Sequence, residues 1–286
     1  MDKKERLALK VGSAKIRAAT LKMLKWRRYG HLGGAMSIVE LLSVLYNKQM
    51  KHDPKNPSWD ERDYLVLSKG HAGPAWYAAL ATQGYFPETE LYTLNEGGTN
   101  LPSHPDRTKT PGVDATTGSL GQGTSVGAGL GYATRLEGSD RHVYLVVGDG
   151  ELNEGQCWEA FQFIAHYKLH ETIVIIDHNK QQLDGYLEDI LNPFDLAKKM
   201  EAFGFRVWTV DGMDEAAISD AIDAAKSVTG QAVCLLLETK KAQGVPYYMD
   251  RLDNHSPKFN EEADRAVEAV IADLESFIAA SEQEAK

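Results

Sequence analysis

Short, mainly apolar runs alternate along this chain with longer stretches of helical spacing. The runs at 64–67, 144–147, 172–176, 205–210 and 232–238 are predicted as strands. They lack the in-out alternation of a half-solvated sheet, so both faces are expected to be covered, as in parallel sheets. Helical spacing follows from Gly73 through Ala81, at 124–133, from Glu154 to about Tyr167, and at 213–227 with Ile218 and Ile222 inward. At one end, 5–28 places Leu9, Ile16, Met23 and Leu24 on one stripe; at the other, 261–286 reads as an acidic amphipathic helix. Ser37, with Glu40 three residues later, predicts a capping box opening an apolar helix over 38–46. The fold class expected is α/β, an open, mainly parallel sheet with helices on both faces. Without an internal repeat or a linker, residues 1–286 read as a single domain with helical N-terminal and C-terminal extensions.

Polar residues gather where these strands end. Ser68-Lys69-Gly70-His71 follows the first strand, Gly148-Asp149-Gly150 the second, Asp177-His178-Asn179 the third, and Lys240-Lys241 the last. In an open parallel sheet such ends line the ligand crevice. Gly148-Asp149-Gly150 alone is an ordinary turn. The interval to Asn179, however, suits one strand–helix–strand crossover, which sets two neighbouring strand ends side by side. An acidic and an amide oxygen placed together there suit Mg²⁺, a hard ion that takes oxygen ligands and often shares them with phosphate. Neither a dinucleotide-binding Gly-x-Gly-x-x-Gly after a first strand nor a P-loop is present.

Residues 97–123 form the longest stretch without periodicity, and loops of this length in compact domains are usually functional or disordered. The stretch carries His104 and Gly118-Ser119-Leu120-Gly121-Gln122-Gly123, a composition expected of an ordered binding loop. His31, His71, His104 and His255 all lie in loops beside glycine, proline or serine, where imidazoles hydrogen-bond and exchange protons near neutrality. Spacing does not bring them together. His52, His142, His166, His170 and His178 read as structural, and Lys240-Lys241 reads equally as a solvated pair.

Composition narrows the function classes. With 286 residues, 43% apolar and 25% charged, the chain is an ordinary globular one, and its net charge of −10 argues against a nucleic-acid or acidic-membrane surface. Anionic substrates stay possible, because a bound metal inverts the local charge. Cys157 and Cys234 both fall in apolar segments, which fits core residues in a reducing, cytoplasmic setting. No run approaches the roughly 18 apolar residues of a membrane span, and the charged start lacks a signal-peptide apolar region.

Gly148-Asp149-Gly150 through Asn179 resembles the thiamine diphosphate motif, which begins Gly-Asp-Gly and ends in Asn. With Gly30-His31-Leu32-Gly33, Leu67-Ser68-Lys69-Gly70-His71-Ala72, Thr117-Gly118-Ser119-Leu120-Gly121-Gln122-Gly123 and Asn179-Lys180, the chain resembles the amino-terminal part of a transketolase from about His31 to His255. The resemblance implies thiamine diphosphate and Mg²⁺ (or Ca²⁺ or Mn²⁺) as cofactors, with Asp149, Asn179 and the Gln181 carbonyl on the metal. It implies a diphosphate held also by His71, Gly150, Lys241 and His255, with Gly118, Ser119 and Leu120 beside the cofactor rings. His31, His104 and His255 are expected to face the substrate. Glu154 is expected to meet its counterpart in a neighbouring subunit. The implied reaction moves a two-carbon ketol unit from a ketose to an aldose, the cofactor serving as electron sink.

Full-length transketolases continue into two further domains, and the first of these supplies the glutamate that activates the cofactor. The expectation is therefore the diphosphate-binding subunit of a split transketolase. Such a chain is inactive without a separate C-terminal subunit, with which it assembles as an α2β2 heterotetramer. Asn254-His255-Ser256 stands where many relatives carry Trp-His-Gly, and Gly33-Gly34 follows His31-Leu32 where many carry a proline. These departures leave the substrate open between a sugar phosphate and a related sugar. A relative of 1-deoxyxylulose-5-phosphate synthase and a non-catalytic cofactor-binding scaffold are the alternative readings.

Overall fold

A computed structural model describes residues 1–284 of the chain. The strands, in chain order, are β1 (Tyr64–Leu67), β2 (Val143–Gly148), β3 (Thr172–His178), β4 (Gln181–Gln182), β5 (Gly185–Tyr186), β6 (Arg206–Asp211) and β7 (Val233–Glu238). Five of them form one sheet in the order β1-β2-β3-β7-β6, every neighbouring pair parallel. β4 and β5 make a separate antiparallel ribbon just beyond the end of β3.

Alternate strand residues enter two cores, as the strand's period of two requires. Leu65, Leu67, Tyr144, Val146, Ile173, Ile175 and Leu235 pack on one face. Val66, Leu145, Val147, Val174, Ile176 and Leu236 pack on the other. Helices Lys3–Arg27, Val39–Val44, Gly73–Gln83, Glu215–Lys226 and Glu261–Glu284 lie against the first core, and Gln122–Glu137, Gly155–His166 and Leu196–Ala202 against the second. With both faces covered, the central strands have no reason to carry polar residues until they end. Only β6, at the sheet edge, is largely open apart from Val210. Cys157 and Cys234 are buried free thiols. No helix among the described residues is long and apolar enough to cross a membrane.

Element ends differ from the sequence expectation where a distant partner intervenes. The expected capping box at Ser37 and Glu40 does not form. The helix there starts at Val39 after Ile38 with no side-chain cap, and passes at Leu45 into one π-helical turn ending at Gln49. The Ser37 hydroxyl instead donates to Asp177 at 2.7 Å, and Glu40 takes the Arg17 guanidinium at 2.6 Å. The box sits at the start of the first helix, where Asp2 accepts from the Glu5 N–H at 2.8 Å and Glu5 accepts from the Asp2 N–H at 3.0 Å. The helix expected from Glu154 begins at Gly155 after a 3-10 turn, Gly150–Asn153. Positions 285 and 286 of the expected tail helix lie outside the described residues.

Arg17 ties the helical layer to the strand ends. Beyond Glu40, its Nε donates to the Gln243 carbonyl at 3.3 Å, in the turn that carries Lys241. Both Arg17 and Glu40 are buried, and removing one partner of a buried pair strands the other charge. Arg17→Met is expected to cost about 3 kcal/mol of unfolding free energy, measured by urea denaturation. A loss under about 1 kcal/mol, the scale of an exposed pair, counts against this role.

Candidate active site

β1, β2, β3 and β7 end at the same edge of the sheet, and the residues after them assemble around one buried carboxylate. Asp177, at the end of β3, is fully buried. Its Oδ2 accepts from Lys69 Nζ at 2.5 Å, from the Ser37 hydroxyl at 2.7 Å and from Asn179 Nδ2 at 2.9 Å. Its Oδ1 accepts from the Thr239 hydroxyl at 2.5 Å. Burial pushes this carboxyl upward, but Lys69 and the hydroxyl donors outweigh it, so Asp177 titrates below the usual carboxylate range. Lys69 also donates to the Gly34 carbonyl at 2.7 Å.

Asp149, after β2, has no such cation. It is 1% exposed and accepts only backbone N–H bonds, from Gly150 at 2.8 Å and Lys180 at 2.6 Å. Burial first, then the nearby Asp177 charge, raise its pKa to about 7. Lys241 is buried too, but its ammonium donates to the Leu183 carbonyl. Burial lowers the Lys241 pKa to about 8.

Asn179 turns its Nδ2 to Asp177, while its Oδ1 accepts from the Gln181 N–H at 3.1 Å. Gln181 Oε1 is buried without a partner. Among the described residues no three His, Cys, Asp or Glu side chains gather into a metal site. What is present is one carboxylate with no bonded cation, tied through the Lys180 N–H to the Asn179–Gln181 turn, which carries amide and carbonyl oxygens. That donor set fits a hard divalent cation taking further oxygens from phosphate and water. A cleft of about 650 Å³ reaches Asn179, Gln181 and Lys241 from the side of β6, where Val210 and Met213 line it; neither Asp149 nor any of the four loop histidines does.

The four loop histidines converge. His31 lies 5.8 Å from His71, 5.4 Å from His104 and 5.3 Å from His255, and His71 lies 5.0 Å from His255, between ring centroids. All titrate below the ordinary imidazole value. Burial and His104 bring His31 to about 4. Burial, Lys241 and His31 bring His255 to about 3. His71, pressed by burial, Lys69 and His255, falls well below its usual value, and burial alone lowers His104. The rings are therefore neutral at pH 7. His255 Nδ1 is buried without a partner.

Glycines make room for this convergence. Gly118 adopts φ +151°, and a Cβ there would lie 3.0 Å from the His104 ring; a Cβ at Gly34 would lie 2.8 Å from His71 Nε2. The two departures in the sequence meet each other: Gly33 N–H donates to the Asn254 carbonyl at 2.9 Å, and Leu32 N–H to the His255 carbonyl at 3.1 Å. A side chain at Gly33 would strike that Asn254 oxygen at 2.7 Å. Ser119 is exposed and Leu120 half-buried on the rim of the same loop.

Glu154 is not part of the cluster. It is exposed beside Gly121, and no hydrogen bond or ion pair joins its side chain to the histidines among the described residues. Glu151, three residues earlier, is a site residue that the sequence pattern does not single out. It is buried and accepts from the Ser68 hydroxyl at 2.5 Å, the Gly121 N–H at 2.8 Å and the Gly148 N–H at 3.1 Å, joining three site loops. Burial raises its pKa. Asp177 and Lys69 likewise escape sequence reasoning as site residues; a charge closing an otherwise apolar strand is the available signal for Asp177.

The family described as "Transketolase, thiamine diphosphate binding domain" matches residues 10–277. The chain is 46% identical over 261 residues to the 6-deoxy-6-sulfo-D-fructose transketolase subunit of Clostridium sp. (strain MSTE9), covering 91% of this chain and 94% of that one. It is 41% identical over 234 residues to an apulose-4-phosphate transketolase subunit of Actinobacillus succinogenes, covering 81% and 84%. Among solved structures, transketolase from Leishmania mexicana superposes with a TM-score of 0.86 at 28% identity, covering 96% of this chain and 45% of that one.

The uncompensated Asp149 carboxylate has a measurable signature in metal-free protein. With a folded pKa of about 7 and an unfolded one near 4, the folded state binds the proton more tightly. Its contribution is intact below about pH 4 and is lost as pH rises to about 7. Asp149→Asn removes this titration. It is expected to stabilise the metal-free chain by about 2 kcal/mol at pH 8, with the gain vanishing toward pH 4. Urea-denaturation profiles of the two proteins that stay parallel across this range would refute an uncompensated carboxylate.

Proposed function

As the chain belongs to the transketolase family and is a transketolase-type transferase, we propose that it is the diphosphate-binding subunit of a two-chain transketolase. It takes thiamine diphosphate with Mg²⁺ and moves a two-carbon ketol unit from a ketose to an aldose. The observation that carries this reading is Asp149: a buried carboxylate with no bonded cation, joined through the Lys180 N–H to the turn in which Asn179 Oδ1 faces Gln181. A bound Mg²⁺ supplies the missing charge.

In this reading Asp149, Asn179 Oδ1 and the Gln181 carbonyl hold the ion. The Gly150 N–H, His71, His255 and Lys241 hold the diphosphate, with charge from the lysine and donors from the imidazoles. Gly118, Ser119 and Leu120 line the ring portion. Thiamine diphosphate supplies, when bound, the carbon nucleophile and the electron sink that the protein lacks. The protein's own work is placement and proton traffic. His31, His104 and His255, neutral at pH 7, each offer one N–H and one lone pair, so they can bind sugar hydroxyls and carry protons to or from them. A polyhydroxylated ketose is the substrate class such a cluster suits. The relatives named as transketolase subunits support a separate partner chain, which would supply the ring-activating carboxylate in an α2β2 assembly.

The purified chain alone is expected to give no ketol transfer with thiamine diphosphate and Mg²⁺. Adding the co-purifying partner restores transfer, scored by mass spectrometry across a panel of ketose donors; robust turnover by the isolated chain refutes the two-chain reading. Asp149→Ala is expected to lower cofactor affinity and activity of the assembled enzyme at least 100-fold while leaving partner assembly intact by size-exclusion chromatography. A scaffold subunit would show no ketol transfer in either form.

A further inference from the structure

Asn179 serves a metal only if its oxygen is turned outward, and its two amide ends differ by a simple rotation. Two neighbours of opposite character settle that rotation. Asp177, which accepts but cannot donate, takes Nδ2 at 2.9 Å, and the Gln181 N–H, which donates but cannot accept, takes Oδ1 at 3.1 Å. Rotated the other way, the amide would set oxygen against carboxylate and NH₂ against N–H. Asp177 stays an acceptor because three more donors surround it: Lys69 at 2.5 Å, Ser37 at 2.7 Å and Thr239 at 2.5 Å.

Resting on the site reading above, we infer that Asp177 is the positioning residue of the metal site. It fixes the Asn179 amide with its oxygen presented on the Gln181 side, and Lys69, Ser37 and Thr239 fix Asp177. It acts through Asn179 and touches neither ion nor substrate. The role is separable from packing, because an aspartate at 179 has two equivalent oxygens and needs no rotational control.

The test titrates Mg²⁺ and thiamine diphosphate by isothermal calorimetry into the chain assembled with its co-purifying partner, with circular dichroism and thermal unfolding reporting the fold. Asp177→Asn sets an NH₂ among four donors and removes the rotational bias at 179; affinity is expected to fall at least tenfold. The exchange variant Asp177→Asn/Asn179→Asp keeps one carboxylate and one amide, and is expected to bind within about threefold of the wild type. A merely structural Asp177 gives no such rescue. The inference is overturned if Asp177→Asn binds like the wild type, or if the exchange variant is no tighter than the single one. Should the single variant not fold, the exchange variant decides alone: binding within threefold upholds the inference, and a tenfold loss overturns it. A wild-type assembly that takes up no thiamine diphosphate with Mg²⁺ overturns the site reading itself, whereas binding unaffected by the variants overturns only the role of Asp177.

Discussion

The buried pair of Lys69 and Asp177 spans the end of the sheet from the loop after β1 to the last turn of β3, with β2 and Asp149 between them. Burying two ions is costly unless their remaining hydrogen-bonding capacity is filled. Here Ser37, Asn179 and Thr239 fill it on the carboxylate, and the Gly34 carbonyl takes another ammonium proton. The ends of β1, β3 and β7 and the glycine turn before Ser37 are thereby fixed to one point. The pairing also allots charge unevenly. Of the two ammonium groups nearby, Lys69 bonds Asp177 and Lys241 donates to the Leu183 carbonyl, so Asp149 is left with N–H donors alone. The unfilled demand for positive charge at Asp149 follows from both ammonium groups being engaged elsewhere.

The histidine cluster obeys the same electrostatics with the opposite sign. Rings 5.0 to 5.8 Å apart cannot be protonated together without mutual repulsion. Lys69 and Lys241 add further cost to any imidazolium at His71 and His255. Neutrality gives each ring both a donor and an acceptor, which a set of cations would not offer. Lysine charge thus sits near the strand ends, together with a cluster of uncharged imidazoles.

The sheet was legible in the sequence because both its faces are buried, which turns each central strand into an unbroken apolar run. Strand-end polarity pointed to Asp149 and Asn179 for the same reason, whereas Lys241 was singled out only by the family resemblance. The convergence of His31, His71, His104 and His255 was not legible, since periodicity says nothing of how loops from distant segments lie together. Ser37 shows the other failure. Its spacing to Glu40 spells a capping box, yet its hydroxyl serves Asp177, 140 residues away, and a local rule cannot anticipate a stronger distant acceptor. Lys69 stands within a legible motif, but its role depends on a partner in another strand.

Glu151 and Glu154 separate what holds the site from what faces outward. They lie three residues apart across a 3-10 turn, yet Glu154 is exposed and Glu151 buried. Glu151 accepts from the loops that carry His71, Gly118 and Asp149, through Ser68, Gly121 and Gly148. Two of these donors are backbone N–H groups, whose positions are set by the chain path itself. A carboxylate joining three such loops binds them to one another before any ligand arrives, and groups locked in this way present their geometry without further ordering cost. Preorganisation here rests on a residue that touches none of the candidate ligand groups directly.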